Sequence, residues 1–294
     1  MTTIETAILL SGVLLILVLI GVRVAFATAL IGILGMFLFY TIDKGMDPMR
    51  AITVTLKLSG QIPHSKTASH VLGLIPVFVL IGYLAYFAGL TTAIFEAAKR
   101  WLGWLPGGMG VATVFATAGF AAVSGASVAT SAVFARIAIP EMLRVGYDKR
   151  FAAGVVAAGG TLASLIPPSA ILVIYAIITE SSVGKLLLAG FLPGAVSAVI
   201  YAVMIIGMAK RNPKLGPPVT GFTWAQRFAA LPPAAPIFFV VAIIMYCIYG
   251  GWGTPTEAGA LGAFVVLLMA LYKGTRWKDL SGALIESAKL TTMI

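Results

Sequence analysis

Residues Val111–Ile139 read VATVFATAGFAAV, then SGAS, then VATSAVFARIAI, and Pro140 follows. Each apolar leg is about 12–13 residues long, roughly 20 Å as α-helix, which is short of the hydrocarbon core of a bilayer. Both legs are rich in Ala, Gly, Ser and Thr, whose small side chains let helices approach closely in lipid. The pattern predicts a helical hairpin that turns at Ser124-Gly125-Ala126-Ser127 and returns to the side it entered from. The alternative is a pair of tightly packed short spans joined by a serine turn. The next apolar segment, Phe151–Ile178, carries GGTLASLIPPS at Gly159–Ser169. A straight helix of that length overshoots a bilayer. Pro167 and Pro168 have no N–H, so the carbonyls of Ala163 and Ser164 lose their helical donors, and Gly159 and Gly160 weaken the helix further. A broken helix is predicted, with a simple proline kink as the alternative.

Unpaired carbonyls at membrane depth are tolerated where they line a cavity or hold a ligand. Serine hydroxyls, freed carbonyls and helix ends near the midplane are what secondary transporters use to hold anions and Na⁺. Neither segment holds an Asp or Glu at depth; Glu141 and Asp148 fall in the loop between them and Glu180 beyond the second. A proton relay needs ionisable groups at depth, so Na⁺ is favoured over H⁺ as coupling ion.

The rest of the chain fits a membrane setting. Hydrophobic residues make up 60% of it and charged residues 10%, against about 25% charged in soluble domains; mean hydropathy is +1.03. A soluble fold lacks the polar material to cover that much apolar surface. Candidate spans are Ile4–Val22, Val24–Tyr40, Val71–Phe95, Leu186–Met208, Ala230–Tyr249 and Ala258–Tyr272. Amphipathic stretches Ala51–Gly60, Thr179–Leu187 and Trp277–Leu290 are candidates for interfacial arm helices. The net charge of +10 forms no basic stripe, which argues against nucleic acid. With the N-terminus outside, basic residues divide fourteen inside to five outside, so the charge reads as an orientation signal. Cys247 is the only cysteine, and His64 and His70 share a polar loop, leaving no metal-ligand cluster and no disulfide. The turns at Gly21–Ala27 and Gly253–Ala258 begin similar runs, an echo expected of an inverted repeat.

In this order and spacing, Phe120–Thr130 (FAAVSGASVAT), Ile139-Pro140-Glu141-Met142, Gly146-Tyr147-Asp148, Gly159–Ser169, Ser182–Leu186, Ala189–Gly194 and Thr254–Ala258 resemble the large membrane subunit (DctM-like, M subunit) of the tripartite ATP-independent periplasmic (TRAP) transporters. The resemblance runs over nearly the whole chain. It implies an all-α polytopic fold of the ion transporter superfamily, elevator-type, with a re-entrant hairpin and a broken helix, comprising the first inverted repeat and the start of the second. It divides the chain into scaffold helices and an outer arm (1–70), half a transport domain (71–180) with hairpin 111–139 and broken helix 151–178, an arm helix and connecting span (181–228), and the beginning of the second repeat (229–294). Family members are longer by roughly half, so C-terminal truncation is expected, with a second hairpin and second Na⁺ site beyond it.

The function implied is a subunit of a Na⁺-coupled importer of organic anions: C4-dicarboxylates, sialic or other sugar acids, or keto acids. Its partners would be a periplasmic binding protein and a small four-helix membrane subunit, in a bacterial inner membrane with the N-terminus periplasmic. No cofactor is expected apart from Na⁺ as coupling ion, and no catalytic residue. The family's first Na⁺ site maps onto Ser124, Gly125, Ser127, Gly160, Thr161, Pro167 and Ser169. Ala126 stands where the family usually has Ser, Arg136 and Ala163 where Gly is common, and Arg23 where Pro is common. Two other classes remain to be weighed. An intramembrane hydrolase or phosphatase using Ser124 or Ser127 lacks a nearby base. A structural or channel subunit would use the serines only for packing.

Overall fold

The computed structural model of the chain describes residues 3–67 and 73–293. Among these residues the regular structure is helical, with no strand, and the chain forms two compact units, Met1–Ser69 and His70–Ile294.

The first unit holds α1 (Thr3–Leu19), α2 (Val24–Leu38) and α3 (Pro48–Thr67). A π turn, Phe39–Asp43, continues α2 into an apolar helix of 20 residues. Ile4, Ile8, Leu15, Leu19 and Phe26 are exposed, as suits helices whose solvent is lipid. α3 extends the amphipathic stretch Ala51–Gly60 at both ends. It buries Ala51 and Thr55 one turn apart and exposes Met49, Ile52 and Leu56. His64 therefore belongs to a helix and not to a polar loop; His70 lies outside the described residues.

The second unit comprises α4 (Leu74–Phe87), α5 (Leu90–Leu102), α6 (Gly108–Ser124), α7 (Ser127–Arg144), α8 (Lys149–Thr161), α9 (Ala170–Ile178), α10 (Val183–Arg211), α11 (Trp224–Ala229), α12 (Leu231–Tyr249), α13 (Pro255–Tyr272) and α14 (Trp277–Met293). α4 lies at its centre, packed against α6, α13 and α14, with Leu74, Phe78, Ile81 and Ala85 buried. Capping boxes start α11 and α13: Thr223 pairs reciprocally with Gln226, and Thr254 with Glu257. The T-P-T-E stretch is thus a helix start of the Thr-x-x-Glu kind.

Three expectations are corrected. The span expected at Val71–Phe95 is, over its described part, two helices bent by 68°. The break falls at Gly89, whose φ of +70° is the left-handed backbone that glycine adopts without steric cost. The hairpin legs are longer than the apolar runs: α6 has 17 residues and α7 has 18, about 25–27 Å each. α6 starts at Gly108 because the buried Tyr147 hydroxyl accepts a hydrogen bond from the otherwise orphaned Met109 N–H (3.0 Å), and α7 runs through Pro140 to Arg144. Thr179–Leu187 is not a separate arm helix; the chain reverses around Glu180 (φ 52°), and α10 then runs 29 residues from Val183. Among the described residues four helices are long and apolar enough to cross a membrane, with the bent α4–α5 pair as a fifth. This is a multi-pass, all-helical membrane fold.

Candidate functional site

α6 and α7 form a hairpin whose legs touch through the buried rings of Phe120 and Phe134, edge to face with centroids 5.7 Å apart. At the closed end the buried Ser124 hydroxyl bonds that of Thr130 (2.8 Å). Gly125 turns the chain with φ +60° and Ala126 is extended, which restarts the helix at Ser127. The open end is fixed by charge. Lys99 of α5 reaches both Glu96 (2.8 Å) and Glu141 of α7 (3.0 Å), and Arg144 also pairs with Glu141 (3.0 Å). The arrangement satisfies a mostly buried ammonium group, which would be costly alone.

The second segment is broken as expected. α8 begins with the Asp148 carboxylate accepting from Phe151 N (2.9 Å) and ends at Thr161. One 3₁₀ turn, Leu162–Ser164, follows, then non-helical chain to Ser169, with a cis bond between Pro167 and Pro168. Ser169 begins α9. Its buried hydroxyl donates to the Ser164 carbonyl (2.9 Å) and accepts from Leu172 N (3.4 Å). One of the two carbonyls expected to be freed is therefore satisfied by a side chain; that of Ala163 receives no backbone donor among the described residues.

The two segments meet. The Gly125 carbonyl accepts from Ala170 N (2.9 Å), and a Cβ on Gly125 would stand 2.5 Å from the Pro168 carbonyl oxygen. Gly159 faces Thr117 of α6 and Gly160 faces Ser131 of α7, each with no room for a Cβ. This glycine pair serves close approach of α8 to the hairpin, beyond weakening its own helix. Ser124, Gly125, Ser127, Pro167 and Ser169 are thus gathered at one junction, with Gly160 one helix end away. Thr161 is placed differently: it is exposed, and its hydroxyl is engaged by Ala158 O (2.7 Å) and by the Tyr201 hydroxyl of α10 (3.1 Å). Ser127 is half-buried, and among the described residues its hydroxyl has no hydrogen-bond partner. No group of three or more His, Cys, Asp or Glu that could hold a metal occurs among the described residues. The donors on offer are neutral oxygens, suited to a hard alkali cation and not to zinc or iron.

Sequence reasoning quoted Thr130 and Tyr147 within family-like stretches without giving them a role, and missed Tyr201. The first sits one helical turn past the hairpin's turn, a spacing that could have marked it. The other two act from distant elements.

Residues 11–294 match the family model for the tripartite ATP-independent periplasmic transporter, DctM component. The chain belongs to the DctM family. It is 39% identical over 224 residues to the C4-dicarboxylate TRAP transporter large permease protein DctM of Pseudomonas aeruginosa, covering 75% of this chain and 52% of that protein. The corresponding DctM protein of Rhodobacter capsulatus is 31% identical over 306 residues, 98% of this chain and 66% of the relative. The sialic acid TRAP transporter large permease protein SiaM of Vibrio cholerae is 33% identical over 201 residues, 68% and 46% respectively. This DctM-family chain spans about half to two thirds of the length of these relatives. Each of these relatives is named as a large permease protein of a TRAP transporter.

Proposed function

We propose that the chain is part of the large membrane subunit of a Na⁺-coupled, elevator-type secondary importer of organic anions in a bacterial inner membrane, with its N-terminus periplasmic. In this reading a periplasmic binding protein delivers the anion and a small four-helix membrane subunit braces the large one. The observation that carries it is the docking of Gly125, at the hairpin turn, on the Pro168–Ala170 backbone of the broken helix. That junction sets the hairpin turn, with the unpaired Ser127 hydroxyl beside it, against the break in the second segment, with carboxylates kept to the margins. Neutral oxygen donors compensate a monovalent cation without the charge a proton relay would need.

Relatives named for C4-dicarboxylate and sialic acid support carboxylates as the substrate class. The test is uptake by the full-length protein with its partners in proteoliposomes. Replacing Na⁺ by choline abolishes uptake, and Ser127→Ala raises the Na⁺ concentration needed for half-maximal rate. Uptake that persists unchanged in choline would overturn the coupling.

A further inference from the structure

An apolar groove of about 640 Å³ opens between α5, α6 and α12, lined among others by Ala97, Trp101, Phe115, Leu231, Ala235 and Phe238. One end is marked by an aromatic cluster. Trp101 packs edge-on against Trp224 and Phe228, centroids 6.3 and 5.4 Å away, and its indole N–H donates to the Arg227 carbonyl (3.0 Å). Tryptophans in such clusters sit at the headgroup level of a bilayer. From there the groove follows α5 back to Ile94 and α12 forward to Phe238, seven residues each way, or about 10 Å along each helix.

Arg227 stands at that level. Its guanidinium lies over the Trp224 ring, 4.9 Å from the centroid. Among the described residues it has no ion pair, and its buried Nε–H has no acceptor. Its neighbour Arg100 is occupied: Nη1 donates to Gln226 O (3.1 Å), and Nε lies 3.9 Å from Glu96. A buried Nε–H without an acceptor, on a guanidinium without a counter-ion, costs stability unless something anionic meets it. The adjoining groove is apolar and roughly as deep as part of an acyl chain.

We infer that this groove is a binding site for an anionic phospholipid, with the phosphodiester on Arg227 at the Trp101–Trp224 level and an acyl chain along α5 and α12. Basic pockets between membrane helices hold anionic headgroups by this combination of charge and buried chain. The site lies apart from the hairpin junction, so it stands or falls independently of Na⁺ coupling.

The experiment uses the full-length protein in mild detergent, titrated by native mass spectrometry with phosphatidylglycerol, with phosphatidylcholine of the same chains, and with glycerol phosphate as a chainless anion. Wild type retains phosphatidylglycerol about tenfold more strongly than phosphatidylcholine, which carries the same phosphodiester but whose choline cation offsets the negative charge that Arg227 meets. Arg227→Gln, which keeps the backbone carbonyl that holds Trp101, removes the preference, and Arg227→Lys keeps most of it. Ala235→Phe, which fills the groove, weakens both lipids alike. Equal retention of the two lipids by wild type, or a preference that survives Arg227→Gln, overturns the site. So does competition by glycerol phosphate, which would make it a soluble-anion site. Displacement of the lipid by the small membrane subunit also overturns it, making the groove a protein interface.

Discussion

Gly125→Ala tests the junction on which the transport reading rests. Gly125 holds φ at +60°, and an alanine there costs about 1–2 kcal/mol from its left-handed backbone alone. Its Cβ would meet the Pro168 carbonyl oxygen at 2.5 Å. The partner is backbone and cannot rotate away, so the hairpin turn must draw back from the break. That movement gives up the bond from Ala170 N to the Gly125 carbonyl in a buried setting, a loss of about 1–3 kcal/mol. The sum is about 2–5 kcal/mol of destabilisation, together with weaker Na⁺ dependence, because the two halves of the proposed cation site separate. Gly154→Ala is the internal control. Gly154 sits in α8, and a methyl added there would meet nothing within 4 Å, so alanine is neutral or stabilising by up to about 1 kcal/mol. Unfolding of the purified full-length protein, followed by tryptophan fluorescence with and without Na⁺, measures both. If Gly125→Ala unfolds no earlier than Gly154→Ala, the tight docking of turn on break is wrong.

Two further outcomes follow from other parts of the fold. Burial pushes the Tyr147 hydroxyl up to about 12, from an ordinary 10.0. The neutral form is thus favoured in the folded chain, so its contribution is complete below about pH 10 and lost as pH rises from about 10 to about 12. Tyr147→Phe leaves the Met109 N–H without its acceptor, costs about 1–2 kcal/mol at neutral pH and flattens that alkaline limb in a pH series of unfolding midpoints. For orientation, Lys44→Cys labels with an impermeant maleimide from the periplasmic side and Arg211→Cys does not, in a Cys247→Ser background; the opposite pattern would reverse the assigned topology.

Much of this was legible in the sequence because lipid imposes a simple rule. Backbone polar groups must be paired within the segment, so long apolar runs become helices, and Leu186–Met208, Ala230–Tyr249 and Ala258–Tyr272 appear as α10, α12 and α13. The break after Thr161 was legible for the same reason, since Pro167 and Pro168 remove donors whatever surrounds them. The bend at Gly89 was not. A single glycine within Val71–Phe95 is compatible with a straight helix, and its left-handed conformation goes with the tertiary packing, α4 chiefly against α13 and α14 and α5 chiefly against α6 and α12. Nor could the sequence say that the Ser169 hydroxyl closes the Ser164 carbonyl, or that the Thr161 hydroxyl turns to Tyr201 forty residues away.

By itself, then, the chain's chemistry determined most of the helical segments, the break before Pro167, and which oxygens are released at that break. Those are local consequences of apolarity, proline and glycine. Which released oxygens stay free was decided by tertiary structure alone, because a hydroxyl or carbonyl is satisfied by whatever packs against it. Ser124 found Thr130, Ser169 found Ser164, and Ser127 found no partner among the described residues.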